Sequence, residues 1–157
     1  MPGEHRYRVG LFWTGAAHGT TAAYDAYSRE YVVEVAGKPA LRGSADPRFR
    51  GDPALHNPED LLIAGLSACH MLTYLAEAAR AGVRVLSYED DATGTMIFDG
   101  TGGHFAEVVL RPRVLISADG DPELALSLHA RAHRDCFLAK SVNFPVRHEP
   151  TITRLDG

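Results

Sequence analysis

The two cysteines are the residues of this chain whose type and position point most directly to chemistry. Cys69 lies midway along a predicted helix, and the only other cysteine is Cys136. A thiol reacts when its pKa is lowered and reagents can reach it, but most buried cysteines serve only in packing. Residues 61–76 contain no charged side chain, so a cation must come from elsewhere. The loop before this helix offers Arg48 and Arg50.

Glu59 is the next candidate, because it lies in the first turn of the same predicted helix. A carboxylate there interacts favourably with the positive end of the helix dipole, and this interaction alone can explain a glutamate at this position. The carboxylate can also bind an arginine. Ten residues along a straight helix separate Glu59 from Cys69 by ~15 Å and by ~80° around the axis. Glu59 therefore cannot touch Cys69 of its own helix. Either an arginine bridges the gap or the glutamate comes from a second chain.

Histidines raise the alternative of a metal site. His129 and His133 are four residues apart on a second predicted helix, and Cys136 follows three residues later. This spacing places three zinc-type ligands on one helical face. No fourth ligand is evident, and no C-x-x-C or H-E-x-x-H motif occurs, so we predict that the chain binds no metal. His70 follows Cys69 directly and points ~100° away from it, which makes it a poor base for that thiol.

Length and composition indicate a single globular domain over residues 1–157. The chain is 45% hydrophobic and 23% charged, and its net charge of −4 gives no basic surface for nucleic acid. The first residues lack the apolar core of a signal peptide, and the apolar helical run is shorter than the ~20 residues that span a bilayer. We therefore expect a cytoplasmic protein without membrane or nucleic-acid partners. Its cysteines are then free thiols or a redox pair.

Alternating apolar residues predict five main strands, and turn residues predict the loops between them. Residues 43–56 are rich in proline and glycine and have no period, which predicts a long loop of the kind that often carries function. Strands that follow one another directly favour antiparallel pairing and an α+β fold. The predicted strands cover residues 6–13, 27–36, 83–98, 104–117 and 144–153.

Two helices are predicted from their capping residues and apolar periods. The first runs from about Pro58 to Ala81 after the N-cap Asn57, and its lack of charge predicts a central helix that is buried all round. The second begins after the cap Asp121 and ends near Cys136. Its predicted buried face consists of Leu124, Leu128 and Ala132.

The chain resembles the OsmC/Ohr family at three places. These are residues 57–62, the Ser-Ala-Cys of residues 67–69 and a second cysteine after another helix. This family holds osmotically inducible protein C-like and organic hydroperoxide resistance proteins. The resemblance covers nearly the whole chain. It implies the OsmC-like α+β fold, in which two central helices pack on antiparallel sheets within an intertwined homodimer. It also implies that the active sites lie at the dimer interface.

The resemblance further implies a Cys-based organic hydroperoxide reductase, which converts alkyl or lipid hydroperoxides to alcohols. Cys69 matches the peroxidatic cysteine, and Cys136 matches the resolving cysteine that forms an intramolecular disulfide with it. Glu59 matches the glutamate of an arginine–glutamate pair that activates the thiolate. The family carries no bound cofactor, and a dithiol such as dihydrolipoamide, on a reductant protein or lipoyl group, supplies the electrons. A non-catalytic dimer of the same fold that binds small apolar ligands is the main alternative.

The arginine of that pair has three candidates in this sequence. Arg50 is preferred because it lies in a Phe-Arg-Gly-Asp segment of the loop before the helix. Arg48 matches the Arg-Phe-x-Gly pattern of the OsmC branch, and Arg29 corresponds to the early position used by the Ohr branch. The family often has Cys-Pro at the second cysteine, whereas Phe137 follows Cys136 in this chain.

Overall fold

The computed structural model describes residues 3–157 as two compact units. The first unit ends at Leu61, and the second covers Leu62–Gly157. Met1 and Pro2, which the predicted domain includes, lie outside the described residues. The single domain over residues 1–157 stays a prediction.

The first unit contains one antiparallel sheet whose strands follow chain order. The strands are shorter than predicted, because the pairing is confined to three or four residues in each. A short 3₁₀ helix, Pro47–Phe49, lies in the predicted long loop, and Asp46 caps it through the backbone N–H of Arg48 at 2.7 Å. The three strands are β1 (Gly10–Trp13), β2 (Tyr31–Glu34) and β3 (Leu41–Gly43).

Both helices begin where their capping residues predict. In α1 (Pro58–Arg80), the Asn57 side chain accepts a hydrogen bond from the Asp60 N–H at 2.8 Å, and the Asp60 carboxylate accepts one from the Asn57 N–H. Gly82 adopts a φ of 76° just after the helix, as a C-terminal glycine does. In α2 (Pro122–Asp135), Asp121 accepts from two N–H groups of the first turn.

The burial of the two helices differs from the prediction. α1 buries only the stripe Leu66, His70, Tyr74 and Ala78, while Leu72 is 62% exposed. A central helix buried all round is therefore wrong for a single chain, because neighbours cover only one side of it. On α2, Leu124 is exposed and Ala125 is buried in its place, since the core-facing stripe follows the spacing Ala125, Leu128, His129 and Ala132.

α1 is also long and apolar enough to cross a membrane by length and composition alone. Its most apolar 18-residue window has a mean hydropathy of 1.4, and 22% of that window is buried. The core helix of a soluble protein passes the same test. The absence of a membrane partner therefore stays a prediction.

In the second unit, each of the three long predicted strands is broken into two at the same level. One half of each strand belongs to one three-stranded sheet, and the other half belongs to a second three-stranded sheet. Pro112 and Pro150 lie at two of the breaks, and the Arg111 N–H bonds to the Asp90 side chain at 2.6 Å instead of to a strand. The strands are β4 (Val85–Asp90), β5 (Thr93–Phe98), β6 (Gly103–Leu110), β7 (Pro112–Ile116), β8 (Val146–His148) and β9 (Thr151–Arg154). The two sheets have the strand orders β4-β7-β9 and β5-β6-β8.

The prediction of purely antiparallel sheets needs a correction in this unit. β4–β7 and β5–β6 are antiparallel, but β8 joins β6 and β9 joins β7 in parallel. The physical reason is α2, because a crossover helix returns the chain to the sheet in the same direction. The α+β class itself is confirmed. These sheets and the buried faces of α1 and α2 enclose two hydrophobic clusters, one around Tyr74 and one around Leu66.

Candidate active site

The two cysteines meet in the second unit. Cys69 projects from the middle of α1, Cys136 is the C-cap residue directly after α2, and their sulfur atoms are 3.0 Å apart. Both are free thiols, and the Cys136 S–H donates a hydrogen bond to the Cys69 sulfur. Since a disulfide has an S–S length of ~2.05 Å, a movement of about 1 Å joins them. A disulfide is therefore accessible without rearrangement of either helix.

The two thiols have different surroundings, and their burial is the reverse of the expected order. Cys136 is 1% exposed, whereas Cys69, which the sequence predicts to be the buried thiol, is half-buried. Burial, together with the hydrogen bond to Cys69, raises the pKa of the Cys136 thiol. Cys136 is therefore a protonated donor at neutral pH. Cys69 is the sulfur that an external reagent reaches first.

A shallow cavity of about 370 Å³ lies between α1 and the segment that follows α2, and its lining includes sequence neighbours of both cysteines but neither cysteine itself. Leu72 and Thr73 line it one turn after Cys69, and Phe137 lines it directly after Cys136. The Thr73 hydroxyl donates to the Cys69 carbonyl at 2.8 Å, and Phe137 is 80% exposed. Sequence reasoning missed Phe137 as a site residue. The signal was an aromatic residue at the position where the resembled family often has proline.

Glu59 lies in the first unit and has no arginine partner there. Its Oε2 atom is buried, and no donor among residues 3–157 reaches it. None of the candidate arginines forms an ion pair with it within the described part of this unit. Burial, followed by the charges of Glu59 and Asp60, raises the pKa of Tyr31. A buried carboxylate oxygen without a donor is costly, so this position suits an incoming cation.

The three candidate arginines are held in different ways. Arg29 lies over the Tyr27 ring at 3.6 Å and donates to the Tyr27 and Tyr24 carbonyls. It also lines an apolar groove of about 600 Å³ in the first unit. Arg48 and Arg50 are exposed, and neither forms an ion pair with a described residue. Arg50 adopts a left-handed backbone conformation with a φ of 66°.

The alternative metal site is not assembled. Among residues 3–157, no group of three histidine, cysteine or acidic side chains could hold a metal ion. His129 Nδ1 instead lies 3.0 Å from His70 Nε2, and Cys136 contacts Cys69.

Comparisons with known proteins agree with this fold. A solved OsmC-like protein of unknown function from Vibrio cholerae is 31% identical over 94% of this chain and 100% of its own, with a TM-score of 0.85. An organic hydroperoxide resistance protein from Legionella pneumophila is 16% identical over 96% of this chain and 99% of its own, with a TM-score of 0.66. One from Bacillus subtilis is 20% identical over 92% and 98%, with a TM-score of 0.62. No curated protein matches the sequence significantly.

The sequence itself carries the family pattern over most of its length. The model of the family described as OsmC-like protein matches residues 51–151, which include α1, α2 and both cysteines. The resemblance seen in the sequence is thereby confirmed. This chain belongs to the OsmC-like protein family.

Proposed function

We propose that this protein is a thiol-dependent peroxidase that reduces organic hydroperoxides to alcohols. The observation that carries the proposal is the 3.0 Å contact between the accessible Cys69 sulfur and the buried Cys136 sulfur. Family membership and the organic hydroperoxide resistance proteins of the same fold support it. Cys69 is the peroxidatic residue and Cys136 the resolving residue in this proposal.

The first step consumes the peroxide. The Cys69 thiolate attacks the distal peroxide oxygen, the O–O bond breaks, and the organic alkoxide leaves and takes a proton from water. Sulfur loses two electrons and becomes a sulfenic acid, whose oxygen is the distal oxygen of the peroxide. The other peroxide oxygen leaves as the oxygen of the alcohol. The apolar side chains of Leu72 and Phe137, which line the cavity between α1 and the segment after α2, favour a substrate with an organic substituent.

The second step resolves the sulfenic acid. Cys136 loses its proton as its sulfur attacks the Cys69 sulfur, and hydroxide leaves with that proton as water. Because burial and the hydrogen bond to Cys69 raise the pKa of Cys136, this thiol is protonated at neutral pH in the reduced protein. A dithiol such as dihydrolipoamide, on a reductant protein or a lipoyl group, then reduces the disulfide by thiol–disulfide exchange. No bound cofactor is needed for any of these steps.

Activation of Cys69 requires a cation, and we propose that an arginine held by Glu59 supplies it. Arg50 is the first candidate, with Arg48 and Arg29 as alternates. Arginine remains charged at every relevant pH and pairs with a carboxylate in a planar fork. The buried, unpartnered Glu59 oxygen supports this role, since a guanidinium would satisfy it.

We propose that the protein acts as a cytoplasmic homodimer. α1 supports the dimer, because its outward face carries the apolar residues Leu62, Ala68 and Leu72 without covering neighbours. A second chain on this face would bury it and bring further arginines to the sites.

Stopped-flow kinetics test the proposal directly. The reduced protein is mixed with cumene hydroperoxide, and the loss of peroxide is followed for wild type, Cys69→Ser and Cys136→Ser. We expect fast consumption by wild type and by Cys136→Ser in a single turnover, and none by Cys69→Ser. If wild type shows no fast consumption, or Cys69→Ser keeps it, the peroxidase proposal fails.

The groove of the first unit favours a second candidate, a non-catalytic dimer that binds small apolar ligands. Leu11, Trp13, Val33 and Leu61 contribute apolar walls to its 600 Å³. In that case both thiols would stay intact after peroxide treatment, and an apolar ligand would raise the melting temperature. A Trp13→Ala variant, which removes one wall of the groove, would abolish that thermal shift.

A further inference from the structure

Four histidines form a cluster in the second unit that no step of the proposed reaction uses. His70 lies on α1, His129 and His133 lie on α2, and His148 ends β8. The ring centroids are 5.3 Å apart for His70–His129, 5.7 Å for His70–His148 and 5.2 Å for His133–His148. Burial, followed by the neighbouring histidines, lowers the pKa of His70 to about 4 and that of His129 to about 3. The two innermost rings are therefore neutral at pH 7.

These two rings make a direct contact across the helices. His70 Nε2 and His129 Nδ1 are 3.0 Å apart, and both residues are 1% exposed. A neutral imidazole has one N–H and one bare nitrogen, so the pair shares a single N–H···N hydrogen bond. The His129 ring also stacks on Tyr74 at 3.9 Å, with an angle of 14° between the planes. The position of His129 against α1 is thus fixed by a hydrogen bond and by ring stacking.

The same two helices carry the thiols. His70 follows Cys69 directly on α1, whereas His129 precedes Cys136 by seven residues on α2. Seven residues are about two turns, so the imidazole and thiol contacts are ~10 Å apart along α2 and lie on the same face of it. A single contact lets one helix pivot against another, and a second contact at that distance opposes the pivot.

We propose that His70 and His129 are a positioning pair, which holds α2 against α1 at the register where the Cys136 sulfur meets the Cys69 sulfur. This inference deepens the proposed function, and its biological role rests on that function. Loss of the imidazole contact would let the sulfurs separate and would lower the effective concentration of one thiol at the other. The disulfide would then be less favoured at equilibrium.

Two other contacts between α1 and α2 provide matched controls. The Tyr74 hydroxyl donates to the Ala125 carbonyl at 3.0 Å, eleven residues before Cys136. Arg131 pairs with Glu77 at 3.2 Å on the exposed side of the helices. Tyr74→Phe and Arg131→Gln each remove one link between the helices but leave both imidazoles in place.

The experiment measures the equilibrium between the two thiols and glutathione disulfide. One glutathione disulfide takes two electrons from Cys69 and Cys136, which form a disulfide, and two molecules of glutathione are released. We expect His129→Leu to lower this equilibrium constant about tenfold, which equals about 30 mV for a two-electron couple. Tyr74→Phe and Arg131→Gln should stay within about threefold of wild type.

Amide variants separate a positioning role from a general packing role. Asparagine places an amide near the Nδ1 position that His129 uses, and glutamine places one near the Nε2 position that His70 uses. His129→Asn and His70→Gln should therefore stay within about threefold of wild type, whereas His129→Gln should fall about tenfold. If His129→Leu does not fold, the comparison of His129→Asn with His129→Gln decides the question.

Three outcomes would overturn the positioning role. The first is an unchanged equilibrium constant in folded His129→Leu. The second is a fall in the equilibrium constant of His129→Asn as large as that of His129→Gln. The third is a fall in the equilibrium constant of Tyr74→Phe as large as that of His129→Leu. No peroxide is used, so the result is independent of the proposed reaction. A protein that fails to reduce peroxides, but whose glutathione equilibrium shifts as expected, would keep the positioning pair and lose the peroxidase function.

Discussion

The thiol pair and the glutamate differ in how complete they are within a single chain. Cys69 and Cys136 lie in contact, and each has its partner in place. Glu59 has a buried carboxylate oxygen and no cation among the described residues. The contact between the thiols is made by packing within one unit, whereas the proposed activation of the Cys69 thiolate still needs a cation at Glu59.

Removal of the resolving thiol should have the largest effect on turnover. Cys136→Ser should keep the first consumption of peroxide but lower steady-state turnover by at least about 100-fold, because the Cys69 sulfenic acid has no thiol in contact with it. A coupled assay with dihydrolipoamide measures the steady state, and a sulfenic-acid probe measures the trapped intermediate. Unchanged steady-state turnover would mean that the reductant attacks Cys69 directly and that the thiol contact has no role.

Variants of the three candidate arginines test which of them pairs with Glu59. Arg50→Ala should lower the second-order rate constant for peroxide by about 100-fold, because it removes the charge that stabilises the thiolate. Arg48→Ala and Arg29→Ala serve as matched variants and should change the rate constant by less than about fivefold. The rate constant is measured in single-turnover stopped flow. A large loss in Arg48→Ala or Arg29→Ala, with Arg50→Ala near wild type, would transfer the role to that residue.

The histidine cluster, which lies in the same unit as the thiol pair, predicts that the stability of the protein depends on pH. The folded-state pKa values of His70 and His129 are lowered to about 4 and about 3, against ~6.5 in the unfolded chain. The unfolded chain therefore binds more protons below pH 6.5, and the free energy of unfolding should fall by a few kcal/mol between pH 6.5 and pH 4. Urea unfolding at the two pH values measures this loss. The double variant His70→Gln, His129→Asn cannot titrate at these positions and should lose less.

The smallest expected effect concerns the exposed face of α1. Leu72→Glu places a charge on this face and should weaken self-association at least about tenfold, since an apolar interface excludes an unpaired carboxylate. Leu86→Glu is the control, because Leu86 is also about half exposed but lies on β4. Sedimentation velocity over a range of concentrations measures the effect. Equal association in both variants would mean that the α1 face is not the dimer interface.

Capping residues and alternation predicted the elements well, because these signals are local. Asn57, Asp121 and Gly82 marked helix ends that the structure reproduces. The sequence did not predict that the long strands of the second unit break in two. Those breaks depend on Pro112 and Pro150 coming level with one another, and on Asp90 bonding to a distant N–H. Such alignment is set by the tertiary fold.

The candidate site was predicted in its residues but not in its arrangement. Residue types and positions singled out Cys69, Cys136 and Glu59, and the resemblance to the family implied a role for each. The relative burial of the two thiols came out reversed, because α1 is covered on one side only. His70 was judged only as a base for Cys69, and its contact with His129 across 59 residues has no sequence signature. The roles of Arg50, Arg48 and Arg29 stay predictions.

We propose that Cys69 and Cys136 are a redox pair that a peroxide oxidises. Mass spectrometry of the reduced wild-type protein after one equivalent of cumene hydroperoxide tests it most directly. We expect a mass loss of two hydrogen atoms and a single peptide pair linked through Cys69 and Cys136. A stable sulfenic acid on Cys69, or two intact thiols, would contradict it.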